Sequence, residues 1–126
     1  MRSWQIKTLK DQSGGASVSG AAIPADMATS ASVQASFTGT TTLVATLQLQ
    51  GSNDMPPSPS YYYSQGFVPT NWTDITSGSV AAPDPDAAVS IQPLDVNWRW
   101  LRLKYTYTSG TGGTFTATLN LQGRAA

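Results

Sequence analysis

Apolar and polar residues alternate most regularly in the last third of the chain. Between Trp98 and Thr108, Leu101, Leu103, Tyr105 and Tyr107 share one parity, and Arg102, Lys104, Thr106 and Thr108 share the other. Between Thr114 and Gln122, Phe115, Ala117, Leu119 and Leu121 alternate with Thr116, Thr118, Asn120 and Gln122. Strand side chains point to opposite faces with period 2, so each segment is a strand with one dry and one wet face. The link Ser109-Gly110-Thr111-Gly112-Gly113 can supply positive-φ turn positions, and the two arms are predicted to form a β-hairpin.

The same period recurs upstream. Trp4, Ile6 and Thr8 alternate with Gln5, Lys7 and Leu9, which predicts a first strand closed by a turn at Asp11–Gly15. Ala16 to Gly20 forms a short strand centred on Val18. Ile23 to Met27 reads as a connection, because Pro24 has no N–H to donate to a ladder. Val33, Ala35 and Phe37 mark a strand, Gly39-Thr40-Thr41 a turn, and Leu43, Ala45, Leu47 and Leu49 a long strand. These are expected to make a second hairpin. The pattern then stops. Ser52 to Ala88 holds six of the eight prolines and one short predicted strand at Thr73–Ile75. Val89, Ile91 and Leu94 lead back to the final hairpin. The expected fold is all-β: one domain over residues 1–126, an antiparallel β-sandwich of jelly-roll or discoidin-like type. It has seven to eight strands, no substantial helix and a long Pro/Tyr-rich loop at 52–88.

Composition narrows the function classes. Only 11% of the residues are charged, against about 25% in a typical soluble domain. Seven Lys and Arg balance seven Asp, and there is no Glu. A neutral surface rich in Ser, Thr and Gln has little charge to keep copies apart, which points to work within an assembly. It lacks the basic charge that nucleic-acid binding needs. No apolar run has the length of a membrane span, and no signal peptide precedes the first strand, so the expected site of synthesis and folding is a cytoplasm.

The chain has no His and no Cys. The usual acid–base, nucleophilic and zinc-binding sets are therefore missing, and no catalytic, cofactor or metal site is expected. The Asp residues read as turn and strand-end chemistry; Asp84 and Asp86 could offer a hard cation oxygen ligands, but their spacing is generic. Asn71-Trp72-Thr73 matches a glycosylation acceptor, which without a secretory signal is accidental. Gly110–Gly113 lacks the lysine and the helix of a phosphate loop.

Aromatic residues carry the main functional hint. Tyr61, Tyr62, Tyr63, Phe67 and Trp72 sit in the long segment, and Trp4, Trp98 and Trp100 lie near strand starts. Long irregular segments in compact domains are usually binding loops, and loop aromatics are typical interface anchors. The same residues could instead form a satellite cluster packed on the sandwich edge, or a platform for stacking on sugars.

Two stretches resemble known families. Gln50-Gly51-Ser52-Asn53-Asp54 with Trp72-Thr73-Asp74-Ile75 resembles the Q-G-S-N-D … W-T-D-I signature of discoidin-like sandwiches. The same element, with Arg99 through Gly123 and its Tyr-Thr-x-Thr-Ser-Gly-Thr-Gly run at Tyr105–Gly112, is more similar to small tailed-phage virion proteins. The segment between Asp54 and Asn71 is longer than that pattern. The resemblance implies a non-enzymatic virion structural protein assembled in the host bacterial cytoplasm. In particular it implies a capsid decoration (cement) protein on the head surface, acting as a trimer or dimer and bridging subunits of the major capsid protein. Nucleic acid and membrane are not expected partners. The alternative is a carbohydrate-binding adhesion module of a phage tail or fibre, with a surface glycan as ligand.

Overall fold

A computed structural model describes residues 2–55, 67–83 and 87–123. Among the described residues it contains nine strands and no helix. They are β1 (Arg2–Ser13), β2 (Val18–Ser19), β3 (Ile23–Pro24), β4 (Ala28–Thr38), β5 (Thr41–Ser52), β6 (Thr73–Ala81), β7 (Ala88–Asp95), β8 (Trp100–Thr111) and β9 (Thr114–Gly123). One antiparallel sheet, here sheet A, has the order β1-β9-β4-β7; the other, sheet B, has the order β2-β8-β5-β6, with β3 also on β8. From β4 onward, chain-adjacent strands sit in opposite sheets except β5 and β6, which pair within sheet B. Each hydrogen-bonded pair in one sheet continues into a pair in the other, which is the jelly-roll arrangement.

The apolar faces read from the sequence are the buried ones. Val33, Ala35, Phe37, Phe115, Ala117, Leu119 and Leu121 of sheet A meet Leu43, Ala45, Leu47, Leu49, Leu101, Leu103 and Tyr105 of sheet B. The rings of Phe37 and Phe115 stack at 5.0 Å between centroids, and Tyr105 lies 4.4 Å from Phe115. The Tyr105 hydroxyl donates to the Gly14 carbonyl at 2.6 Å, so this buried phenol is satisfied. Burial, and then the neighbouring Tyr107, push its pKa above the ordinary value.

The two expected hairpins are not hairpins. β4 hydrogen-bonds to β9, and β5 to β8, so each tight link carries the chain across the sandwich rather than back along one sheet. An amphipathic arm buries its dry face equally well beside its neighbour or opposite it. Here the chain rolls over at Gly39 (φ 75°) and Gly113 (φ 59°), left-handed positions that glycine occupies without strain.

Other boundaries move for identifiable reasons. β1 runs through the expected turn to Ser13 with two register shifts, between Lys7 and Leu9 and between Leu9 and Gln12. The first inserts one extra residue, and Leu9, expected on the wet face, rotates into the core. Ile23–Pro24, expected as a connection, makes two bridges to Leu101 and Trp100, with the proline at an edge where its missing N–H is tolerated. The long segment after Ser52 contains a full strand, β6, rather than a three-residue one.

Register fixes the two ends of the sandwich. Gly14, Gly39, Gly112 and Gly113 gather at one end. The other end collects the starts of β1, β4, β6 and β8 and the ends of β5, β7 and β9. The β5–β6 loop therefore leaves from the second end.

Candidate interaction surface

The loop-bearing end is tied by a polar network that begins in the strands. Gln50 on β5 lies in register with Asp74 on β6 and Arg102 on β8. Arg102 Nε donates to Gln50 Oε1 at 2.7 Å, and Gln50 Nε2 donates to Asp74 Oδ1 at 2.7 Å. Gln50 is buried, and this relay uses both ends of its amide. The Arg102 guanidinium also lies 4.4 Å from the centre of the Trp72 ring, a cation–π contact. Partial burial lowers the Arg102 pKa from its ordinary value.

Ser52-Asn53-Asp54 then closes the mouth of the loop. Ser52 Oγ accepts from the Asp54 N–H at 3.2 Å, and Asn53 Oδ1 accepts from the Arg99 N–H at 3.0 Å. The Asp54 carboxylate takes the backbone N–H groups of Thr70 and Asn71 at 2.8 and 2.9 Å and the Asn71 side-chain amide at 3.1 Å. Those bonds, with Asn71 the larger contributor, hold the Asp54 carboxyl below its ordinary pKa. One carboxylate thus clamps both stems of the loop.

Four aromatics surround this clamp. Trp100 is buried, and its indole N–H donates to the Asp54 carbonyl at 3.1 Å. Phe67 packs beside it at 5.9 Å between centroids. The half-buried Trp72 donates through Nε1 to the Pro69 carbonyl at 3.2 Å. Trp98 is half-buried and lies over Gly51, where any Cβ would overlap the indole. Trp4, near the start of β1, is half-buried at the same end, opposite Leu121. Tyr61, Tyr62 and Tyr63 lie outside the described residues, as do Asp84 and Asp86.

No family model matches the chain, and no curated protein matches it.

The end surface combines exposed apolar side chains with polar ones such as Asp26, Asn53 and Asn97. Among the described residues the exposed large hydrophobic side chains are Met27, Val44, Met55 and Val68. All but Val44 lie here. Met55 lines an open cleft of about 510 Å³ with Ala25, Val96, Trp98 and Arg99. Met27 adjoins this cleft in the chain, and Val68 follows Phe67 at the far stem of the loop. The sequence pattern missed the Gln50–Asp74–Arg102 relay, because it becomes visible only once β5 is known to lie between β6 and β8. The available signal was the Gln50–Asp54 motif itself, whose residues serve as internal clamps.

Proposed function

We propose that this chain is a bacteriophage virion structural protein, a capsid decoration protein that docks through its loop-bearing end. The observation that carries this reading is the clustering of exposed Met27, Met55 and Val68 at that end, beside the half-buried Phe67, Trp72 and Trp98. Exposed apolar groups gathered on one surface mark an interaction site, and aromatic and Met side chains are enriched in interfaces. The clamp of Asp54 on Thr70 and Asn71 holds the loop stems before any partner arrives, which lowers the ordering cost of association.

In this role the mechanism is passive. The end surface buries apolar area across the boundary between subunits of the major capsid protein. Because it binds the assembled shell and not free subunits, mass action stabilises the shell. The near-zero net charge leaves little repulsion between copies arranged as a dimer or trimer. The test is a cryo-EM map of particles purified from cells expressing this chain with its genomic neighbours. Density for the sandwich on the shell, with Met55 and Val68 facing a capsid subunit, is the expected outcome. Density only on the tail or fibres would replace decoration with adhesion, and absence from every particle would overturn both.

A further inference from the structure

The Gln50–Asp74–Arg102 relay holds a guanidinium without neutralising it. Gln50 lies in register with both Asp74 and Arg102, on the strand between theirs. The carboxylate and the cation start two strand spacings apart, roughly 10 Å, and each meets one end of a neutral amide. Among the described residues Arg102 makes no ion pair, and no hydrogen bond besides that of Nε to Gln50. Its Nη1 and Nη2 groups have no protein acceptor. They are open to solvent: among the described residues, the shielded side-chain polar atoms without a partner are Thr8 Oγ1 and Asn120 Oδ1.

This fork is fixed as well as open. Gln50 holds Nε at 2.7 Å, and the guanidinium lies over the Trp72 ring at 4.4 Å. Trp72 is itself tied to the Pro69 carbonyl, and its stem to Asp54. Much of the side-chain ordering that capture of a ligand requires is therefore already present in the fold. A planar fork with both outer donors free matches a carboxylate, which accepts two parallel N–H bonds. With Nε committed, the approach is end-on. A phosphate monoester carries about 1.5–2 charges and would meet one further cation on this row, the exposed Lys104, set against Asp74. A neutral ligand would leave a partly desolvated cation uncompensated.

We propose that Arg102, walled by Trp72, is a carboxylate-binding subsite that captures an acidic side chain of the surface on which this chain docks. For its partner this assignment rests on the docking role; the subsite itself belongs to the folded chain. Phe67 packs on Trp100, two residues before Arg102 on β8, so the stem bearing the exposed Val68 lies beside the fork. An apolar contact at Val68 and an ion pair at Arg102 belong to one footprint.

The test is an NMR titration of the isotopically labelled chain with acetyl-Gly-Glu-Gly-amide at constant ionic strength, beside acetyl-Gly-Gln-Gly-amide and inorganic phosphate. The Glu peptide should move the Arg102 Nε–H and Trp72 indole N–H signals saturably, on the order of tens of millimolar for one ion pair near the surface. The Gln peptide should not move them. Arg102→Lys keeps the charge without the fork, and its Trp72 signal should no longer saturate in that range. In co-sedimentation with purified shells, Arg102→Gln should weaken attachment roughly tenfold and flatten its salt dependence. Lys7→Gln, on the outer face of sheet A, should change neither. No response of the parent chain to the Glu peptide, an equal response to the Gln peptide, or a stronger one to phosphate would each overturn the carboxylate assignment, whatever the variants do to the fold. A peptide response from a chain that no shell binds would overturn the docking role and leave the subsite standing. A peptide response with shell attachment indifferent to Arg102, or self-association that Arg102→Gln abolishes, would overturn the acidic docking partner.

Discussion

Asp54 is the residue on which the loop-bearing end depends most visibly. Its carboxyl pKa is lowered by the bonds from Asn71 and Thr70, so the charged form is the one the fold favours. The stabilisation is therefore fully present above the ordinary carboxylate pKa and is lost as pH falls through the lower, folded-state value. Acidification below about pH 4 should release the loop stems before the sandwich unfolds. Hydrogen-exchange protection factors at Thr70 and Asn71 should fall with pH while those at Leu103 and Leu119 hold. In Asp54→Asn the two stem amides should be poorly protected at every pH, and their pH dependence should vanish. Constant protection of Thr70 and Asn71 through acid would show that the carboxylate is not the clamp. Gly51 makes a second residue-scale case. A Cβ there overlaps the Trp98 ring, and the indole is half-buried against the core. Gly51→Ala should destabilise by about 1–3 kcal/mol through overpacking and shift Trp98 emission; an unchanged melting temperature would mean the ring has room to move.

At the scale of single elements, β1 shows what an alternating pattern can and cannot reveal. The bulge between Lys7 and Leu9 reverses the parity until the second shift, before Gln12, restores it, and Leu9 ends up buried opposite Ala117. Leu9→Ala should cost about 2–5 kcal/mol, as for a core leucine; a loss below about 0.5 kcal/mol, as for a surface position, would restore the unbulged reading. Period 2 assigned the faces of β4, β5, β8 and β9 correctly, because burial needs only a dry side. It was silent on partners. The residues of β4 do not say whether their dry side looks at β5 or lies next to it, and both expected hairpins failed on that point. Bulges were illegible for the same reason, since a bulge is a relation between two strands. Only the first three residues of β6 are legible in the pattern because the segment up to Gly78 breaks the alternation; Gln48 fills that break by donating to the carbonyls of Ile75 and Gly78. Of the candidate aromatics, Trp4, Phe67, Trp72, Trp98 and Trp100 lie at the loop-bearing end, and Tyr61, Tyr62 and Tyr63 lie outside the described residues. The Gln50–Asp74–Arg102 relay needed the register of three strands at once, and the Asp54 clamp needed the two loop stems brought together. These irregularities also blunt the sheet edges: β1 has two bulges and exposed Lys7 and Lys10, and β7 has Pro93. Such edges resist strand-to-strand pairing between copies, so association by this chain belongs to its faces and ends.

For the molecule as a whole, the jelly roll brings residues distant in sequence to one end. Met27 comes from the β3–β4 link, Met55 and Val68 from the two stems of the β5–β6 loop, and Trp98 from the β7–β8 link. None of the three exposed side chains supports the core, so their removal should separate docking from folding. Met55 and Val68 are 62% and 67% exposed. Covering each in an interface would contribute about 1 kcal/mol or somewhat more. The double variant Met55→Ser/Val68→Ser should then weaken attachment to purified shells by about 2–3 kcal/mol, roughly 30- to 150-fold. Its melting temperature should stay within about 2 °C of the parent, as expected for surface positions. Val44, 54% exposed on the wet face of β5, provides the matched control: Val44→Ser removes comparable apolar area from elsewhere on the molecule and should leave attachment intact. Co-sedimentation with shells reads the first quantity and thermal unfolding the second. Equal weakening by Val44→Ser would mean that attachment follows total apolar surface, and unchanged attachment of the double variant would move the docking surface away from this end. Weakening by the double variant alone, with the fold unaltered, would locate the contact at the loop stems and make the Asp54 clamp part of the docking device, so that acid should release the protein from shells over the same pH range in which Thr70 and Asn71 lose protection.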